Sequence, residues 1–476
     1  MENINWTPLI VIGLFLIGML YIGYLSSKKL NSSADFLVGG RNFGLLTVTA
    51  TQCASAFGGG MMIAHVGIGY QWGFAEIGYM AGIFIGGILL AVLVARWLRQ
   101  QEFFTTTDWM VSQFGESKAL RCISSVISMM LTMSWWVAQP VAAGKLLNVL
   151  TGLPTEFGIV ICAVVVIIYT SGGGILAVAY TDVAQLLLML IAVVIVLPLA
   201  MTEAGGIDAI FAAVPQENLG LWAPGEAVVW GWLLTLVPGQ LVSQIYHQRI
   251  YAAKTDKIAR DSMIIKSVAS VVMGVWAALL GMSVYTLNAE LSDKEAAMTW
   301  VIMELLPEWI SVIMLGAIAA AIVSTADSAL HSTVSSLTRD IYQQTFKPDA
   351  TDKQILRFTR ISVSVVGILG LMIGLFAPSV FSILLMGSML TASGLFIPLY
   401  AGRFWKRGTK EGAIAGMVGG VTTSFACKQF DLLPQYPDVV WGILISAVLF
   451  FSVSLISKTE TVIKRAEDEK QKVLND

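Results

Sequence analysis

Charge is what this sequence lacks most. Only 13% of its 476 residues are Asp, Glu, Lys or Arg, about half the share of an ordinary soluble domain, so a polar, water-facing surface cannot be drawn from most of the chain. Cysteine is scarce as well: Cys53, Cys122, Cys162 and Cys427 stand far apart, which gives neither a disulfide framework nor a paired-thiolate metal site. The three histidines, His65, His247 and His331, are too dispersed for a zinc centre, and no HExxH occurs. Neither GxSxG nor GxxxxGK[ST] is present, so a hydrolase elbow and a nucleotide-driven pump both lack their motif. With a formal net charge of -2 and no long basic run, no nucleic-acid partner is expected.

Apolar runs fill the space left by these absences. Hydrophobic residues make up 56% of the chain, and a span needs about 20 of them to cross some 30 Å of hydrocarbon. Thirteen candidate spans are centred near residues 17, 55, 86, 133, 164, 191, 238, 276, 322, 366, 390, 419 and 448. The first, "PLIVIGLFLIGMLYIGYL", has no basic stretch before it and Lys28 and Lys29 after it, so it reads as a retained span rather than a cleaved signal. With the N-terminus outside, all the Lys and Arg residues but Lys145, Lys294 and Lys428 fall in cytoplasmic segments, and the positive-inside rule puts the C-terminus in the cytoplasm. The tail "KTETVIKRAEDEKQKVLND" reads as a solvated end, and no soluble domain is expected at either terminus.

Two spans carry breakers in their middle. The second contains "CASAFGGGMMIAHVG", with Gly58, Gly59 and Gly60, and the seventh contains "LTLVPGQLVSQIY", with Pro238 and Gly239. Glycine costs a helix roughly 1 kcal/mol relative to alanine and proline about 3, and broken backbone survives in a bilayer only where it lines a protected cavity. Counted from the second span, the breaks stand at positions one and six of ten, the arrangement that two five-helix halves of inverted topology produce. "SGGG" at 171–174 reads as a tight connection between spans.

The ninth span, "AAAIVSTADSALHSTVSS", bears a polar stripe. At 100° per residue, Ser324, Asp327, Ser328, His331 and Ser335 fall on one face, with Ala321 and Thr325 at its edges. Serine and threonine hydroxyls in a membrane helix often bond to their own helix or to a neighbour. Asp327 is different, because a carboxylate at the bilayer centre costs at least about 2.5–3.5 kcal/mol and marks an ion or a pathway. Its bland rival is a pairing with a helix end or with His331. A second isolated carboxylate, Asp182, follows "SGGGILAVAYT"; it reads either as a helix N-terminal charge or as a cation ligand. Carboxylates, hydroxyls and freed carbonyls are the oxygen set that hard cations prefer.

Three stretches in order, "DFLVGGRNFG", "YTSGGGILAVAYTDVAQ" and "AIVSTADSALHSTVSSLTRDIY", resemble the sodium:solute symporter family over nearly the whole chain. The resemblance implies an all-α integral membrane protein of LeuT type. Its parts would be an extra first helix (1–30), two inverted repeats (44–202 and 228–401), two closing helices (411–457) and a cytoplasmic tail (458–476). It also implies a sodium-coupled importer of a small organic solute, embedded in plasma-membrane lipid, functional as a monomer and not an enzyme. One sodium site would use the carbonyls of Ala54, Phe57 and Ala321 and the hydroxyls of Ser324 and Thr325. A second, shared through Ser324, would use Asp182, Asp327 and Ser328, which makes two ions per cycle.

The solute pocket is expected at Gln52, Glu76, Trp136, Gln240, Ser243 and Gln244, with Gln139, Trp135 and Tyr246 near the same breaks. Gln52 and Ser243 stand where the choline branch has tryptophans, so an amide-rich pocket for a small polar or zwitterionic solute is expected. Choline or another quaternary ammonium, held by cation–π contact, is the alternative. A membrane sensor would need an attached signalling domain, and an intramembrane enzyme a nucleophile and base; the sequence offers neither.

Overall fold

In hydrocarbon every backbone N–H and C=O must be satisfied within the protein, which leaves helices as the spanning form for a chain of continuous apolar runs. A computed structural model describes residues 33–457 except Pro378 and 433–435, together with six positions between Ile10 and Tyr21. Apart from those six positions, the expected first span (1–30) lies outside the described residues, as does the tail (458–476). Among the described residues there is no strand, only an isolated bridge between Phe43 and Ala253.

The helices, in chain order, are α1 (Ser33–Val38), α2 (Leu45–Ala56), α3 (Gly59–Trp72), α4 (Ala75–Gln100), α5 (Thr106–Phe114), α6 (Lys118–Thr151) and α7 (Thr155–Glu203). They continue as α8 (Glu226–Leu241), α9 (Gln244–Ala252), α10 (Asp256–Leu287), α11 (Glu308–Phe346), α12 (Asp352–Gly374), α13 (Val380–Phe404), α14 (Lys410–Phe430) and α15 (Asp438–Ile456). The twelve expected span centres from residue 55 onward all fall inside these helices. Nine stretches among the described residues are long and apolar enough to cross a membrane. The α2–α3 pair fails that length test because it is interrupted.

Three backbone departures shape the bundle. Between α2 and α3, Phe57 (φ -108°, ψ 30°) and Gly58 (φ -57°, ψ 164°) leave helical geometry; Gly59 and Gly60 already belong to α3. Within α7 the chain turns at Gly174 (φ 56°, ψ -165°), a conformation that glycine adopts without the Cβ clash, so the "SGGG" connection is real. The third break is not where the proline suggested. Pro238 lies inside α8, and the chain departs at Val242 (φ -110°, ψ 6°) and Ser243 (φ -70°, ψ 114°). Pro238 sits in the last turn of α8, which ends three residues later at Leu241.

Burial sorts the helices. α11 is buried on all sides from Ala317 to Ser336, the mark of a central helix, whereas α15 buries one stripe, Val439, Gly442, Ser446, Phe450 and Ser454, and exposes Leu444, Val448 and Leu455. That apolar exterior suits lipid rather than water. Small residues bring backbones together: a Cβ on Gly281 of α10 would lie 2.2 Å from the Tyr70 nitrogen of α3, so the crossing exists only without a side chain there. Gly281→Ala should therefore lower the stability in a detergent thermal melt by about 1–3 kcal/mol. Gly316→Ala, where a Cβ meets nothing within 4 Å, should be neutral or slightly stabilising.

Candidate cation and solute site

A helix that stops in mid-membrane leaves its last carbonyls without intrahelical partners. At the end of α2 the Phe57 N–H still bonds the Cys53 carbonyl at 2.9 Å, and the next carbonyls face α11. Thr325 Oγ1 lies 3.3 Å from the carbonyls of both Ala54 and Ser55, and Ser324 Oγ lies 3.2 Å from that of Ala54 and 3.1 Å from that of Ala321. A Cβ on Gly58, next to Phe57, would fall 1.7 Å from Thr325 Oγ1 and 3.1 Å from the Ala321 carbonyl. Four of the five expected oxygens are thus gathered, with Phe57 at the break beside them, and the Ser55 carbonyl joins them. On the far side of the break the Gly60 N–H donates to Gln139 Oε1 at 2.9 Å.

The two carboxylates lie just beyond this cluster. Asp182 is fully buried and accepts a hydrogen bond from Thr51 Oγ1 of α2, so it is not a solvated helix-end charge. Neither oxygen of Asp327 meets a donor in good geometry, although the hydroxyls of Tyr169 and Ser328 lie beside it, and Asp182 Oδ1 is also unpartnered. His331 is not the partner of Asp327: its Nε2 faces the Phe36 carbonyl at 2.7 Å. Arg249 on α9 is the nearby cation. Its guanidinium, 1% exposed, donates to Ser328 Oγ at 2.6 Å, to Ser55 Oγ at 3.1 Å and to the Ile245 carbonyl at 3.1 Å. It interacts electrostatically with both aspartates. Two carboxylates against one guanidinium leave one negative charge.

The expected solute residues divide. Gln52 is fully buried with both amide atoms unpartnered, and Ser243, at the α8–α9 break, has an unpartnered hydroxyl. Gln240 accepts from Lys266 Nζ of α10 at 2.8 Å, and the same ammonium stands 4.0 Å from the Tyr246 ring centre. Three others point elsewhere. Trp136 turns away from the breaks, since a Cβ on Gly370 of α12 would touch its indole nitrogen at 2.0 Å. Its neighbour Trp135, 100° round the helix, is the one that meets Tyr246, at 6.1 Å. Gln244 is tied to α5, accepting from Thr106 N at 2.7 Å and Thr106 Oγ1 at 2.9 Å. Glu76 pairs with His65 Nδ1 at 2.7 Å, both fully enclosed.

Arg249 and Lys266 are the residues that sequence reasoning passed over, having counted both as cytoplasmic. Lys266 stands ten residues into a helix that opens at Asp256, about 15 Å along its axis, and that depth was the available signal. Polar and aromatic clusters flank the site at both ends. At one end Lys145 bridges Glu295 (2.6 Å) and Asp293 (3.1 Å), Ser379 Oγ donates to Glu295 (2.9 Å), and the rings of Tyr79, Trp232 and Phe381 meet edge-on or tilted, with centres 5.6–6.2 Å apart. At the other, Arg121 joins Glu116 (2.6 Å), Asp108 (2.9 Å) and Asp340 (3.5 Å).

The donor set is all oxygen. Carbonyls of α2 and α11, two hydroxyls and a carboxylate pair with three orphaned oxygens fit a hard, non-redox cation and offer nothing to a soft metal. Buried oxygens that lack well-aligned donors are expensive in a membrane unless a cation faces them.

Residues 36–420 match the model of the sodium:solute symporter family. A human high affinity choline transporter is 29% identical over 442 residues, covering 87% of this chain and 75% of its own. An osmoregulated proline transporter of Bacillus subtilis is 27% identical over 471 residues, covering 94% and 95%. In fold, the chain is similar to a Na+-coupled sialic acid symporter solved in a substrate-bound outward-open state, with a TM-score of 0.82, 19% identity, and 96% and 99% of the two chains covered.

Removing both hydroxyls, as Ser324→Ala with Thr325→Ala, should abolish any rise in melting temperature caused by sodium while the protein remains folded in detergent. A thermal melt in sodium against potassium reads this, and an undiminished sodium effect in the double variant would move the site elsewhere.

Proposed function

The chain belongs to the sodium:solute symporter family, and from that membership we propose that it imports a small polar or zwitterionic organic solute together with sodium by alternating access. The observation that carries this reading is the oxygen cluster joining the broken end of α2 to α11. One sodium ion is held by the carbonyls of Ala54, Phe57 and Ala321 and the hydroxyls of Ser324 and Thr325. A second is held by Asp182, Asp327, Ser324 and Ser328, where the single uncompensated negative charge supports a monovalent cation. Arg249 holds the remaining charge in balance. The solute lies at the two breaks, against Gln52, Gln240 and Ser243, with Trp135 taking the place expected of Trp136.

The same reading assigns the architecture. Residues 44–202 and 228–401 form two inverted repeats, so the breaks of α2–α3 and α8–α9 meet near mid-membrane, and α14 and α15 (411–457) are added outside them. The extra first helix (1–30) completes thirteen spans in the plasma membrane, with the N-terminus outside and the tail (458–476) in the cytoplasm. The protein works as a monomer. Coupling follows from differential binding: an ion touching both α2 and α11 favours the conformation in which they are together, and can shift the equilibrium only by that preference. A choline importer is the second reading, favoured by the choline relatives and by the Trp135–Tyr246 pair.

Ion number has a measurable consequence. At 100 mV each inward charge gains about 2.3 kcal/mol, and a tenfold sodium gradient adds about 1.4. One ion then supports several-hundredfold accumulation of a net-neutral solute and two support about 10⁵-fold, at roughly 1.4 kcal/mol per decade. Asp327→Asn should lower the sodium Hill coefficient of uptake in proteoliposomes from near two toward one, on the order of the ion count, and reduce the accumulation limit. A wild-type Hill coefficient and reversal potential that both correspond to one sodium per solute would rule out the second site.

A further inference from the structure

Three cationic side chains are buried among the described residues, and two face carboxylates. Arg121 is bound by Asp108, Glu116 and Asp340, and Arg249 faces Asp182 and Asp327. Lys266, fully buried at mid-helix, has no carboxylate within ion-pair distance among the described residues. Its ammonium has the Gln240 Oε1 atom at 2.8 Å and the Tyr246 ring at 4.0 Å. A neutral amide and a ring quadrupole soften a buried charge without cancelling it. Glu76 lies against His65, and the aspartate pair, with its one spare negative charge, lies about Arg249 and not at Lys266. No anion of the described residues answers this ammonium, and one from outside the chain would.

Its position says what that anion is. Gln240 stands just before the α8–α9 break and Tyr246 just after it, so the ammonium lies at the level of Ser243. On α2, the cluster of Cys53, Ala56 and Phe57 packs against Ala269 and Met273 of the helix that carries Lys266, while Ser55 faces Arg249. Gln52 stands between those two faces at 100° per residue, toward α9. An ammonium and an unpartnered hydroxyl thus stand at the α8–α9 break, and an unpartnered amide lies on the face of α2 turned toward α9. Three donors of this kind suit the two oxygens of a carboxylate, and the Trp135–Tyr246 pair beside them suits a compact cationic head.

Building on the symporter reading, we propose that Lys266 anchors the carboxylate of the transported solute at the helix breaks, making that solute a compact amino-acid or betaine-type zwitterion and excluding a simple quaternary ammonium alcohol. The lysine acts as a specificity residue. A cation without a carboxylate would meet the uncompensated ammonium directly, whereas a zwitterion neutralises it and keeps the whole solute uncharged.

The test uses purified full-length protein in sodium and in potassium, with calorimetric titration and thermal melts. The probes are matched pairs differing only in the carboxylate, glycine betaine against choline and L-proline against L-prolinol, together with the common L-amino acids. In sodium, at least one carboxylate probe should bind, and should bind better than its alcohol by about tenfold or more. Lys266→Met should weaken that binding roughly ten- to hundredfold and erase the acid-over-alcohol preference, while Lys266→Arg keeps the preference. Stabilisation by sodium alone, retained in Lys266→Met, shows that the variant is folded. The proposal is overturned if the alcohols bind as well as the acids, if Lys266→Met leaves the ratio unchanged, or if no carboxylate probe binds to a protein that sodium stabilises. Absence of any sodium effect on the wild type would instead overturn the symporter reading beneath it.

Discussion

A carbonyl freed inside a membrane has to be answered by something other than water, and the end of α2 frees several. That constraint organises the site. The Ala54 and Ser55 carbonyls turn to the hydroxyls of Ser324 and Thr325, and they can do so only because Gly58 lets α2 come against α11 without a Cβ. Hydroxyls are versatile here, since each can donate to a carbonyl or turn a lone pair toward a cation. The same atoms that make the break tolerable are oxygens of the kind a hard cation prefers, and burial of α11 on all sides keeps water away from them.

Charge balance ties the rest of the centre to that break. Thr51 and Ser55, one turn apart on α2, reach Asp182 of α7 and Arg249 of α9, and Ser328 of α11 accepts from the same guanidinium. Four helices therefore meet through groups that cannot be moved singly without stranding a buried charge, a costly outcome in a low-dielectric interior. The polar clusters at the two ends are built from helices that also flank the centre: Lys145 lies on α6 with Trp135, and Thr106 of α5 holds Gln244, the first residue after the α8–α9 break.

Much of this was legible in the sequence, for physical reasons. Long apolar runs leave helices as the sole choice, so the span centres were readable, and the AxxST spacing placed Ala321, Ser324 and Thr325 on one face. The cost of an isolated carboxylate singled out Asp327. Other features were not readable. Proline marked the wrong end of the second break because it can sit inside the last turn of a helix, as Pro238 does. Two adjacent tryptophans point 100° apart, and sequence cannot say which faces the centre: Trp136 went to Gly370 and Trp135 to Tyr246. Arg249 and Lys266 sit at the margins of apolar runs, where positive charge ordinarily means cytoplasm; only packing shows that both are enclosed.

Sodium bound by the oxygens at the α2 break is what couples α2 to α11 in the proposed cycle, and equilibrium binding of ²²Na⁺ to the purified protein measures it. Saturable binding, displaced by unlabelled sodium but not by potassium, is the predicted result, with the capacity reduced when a Cβ is forced between α2 and α11 by Gly58→Val. Binding that does not saturate, that potassium displaces equally well, or that Gly58→Val leaves intact would contradict it.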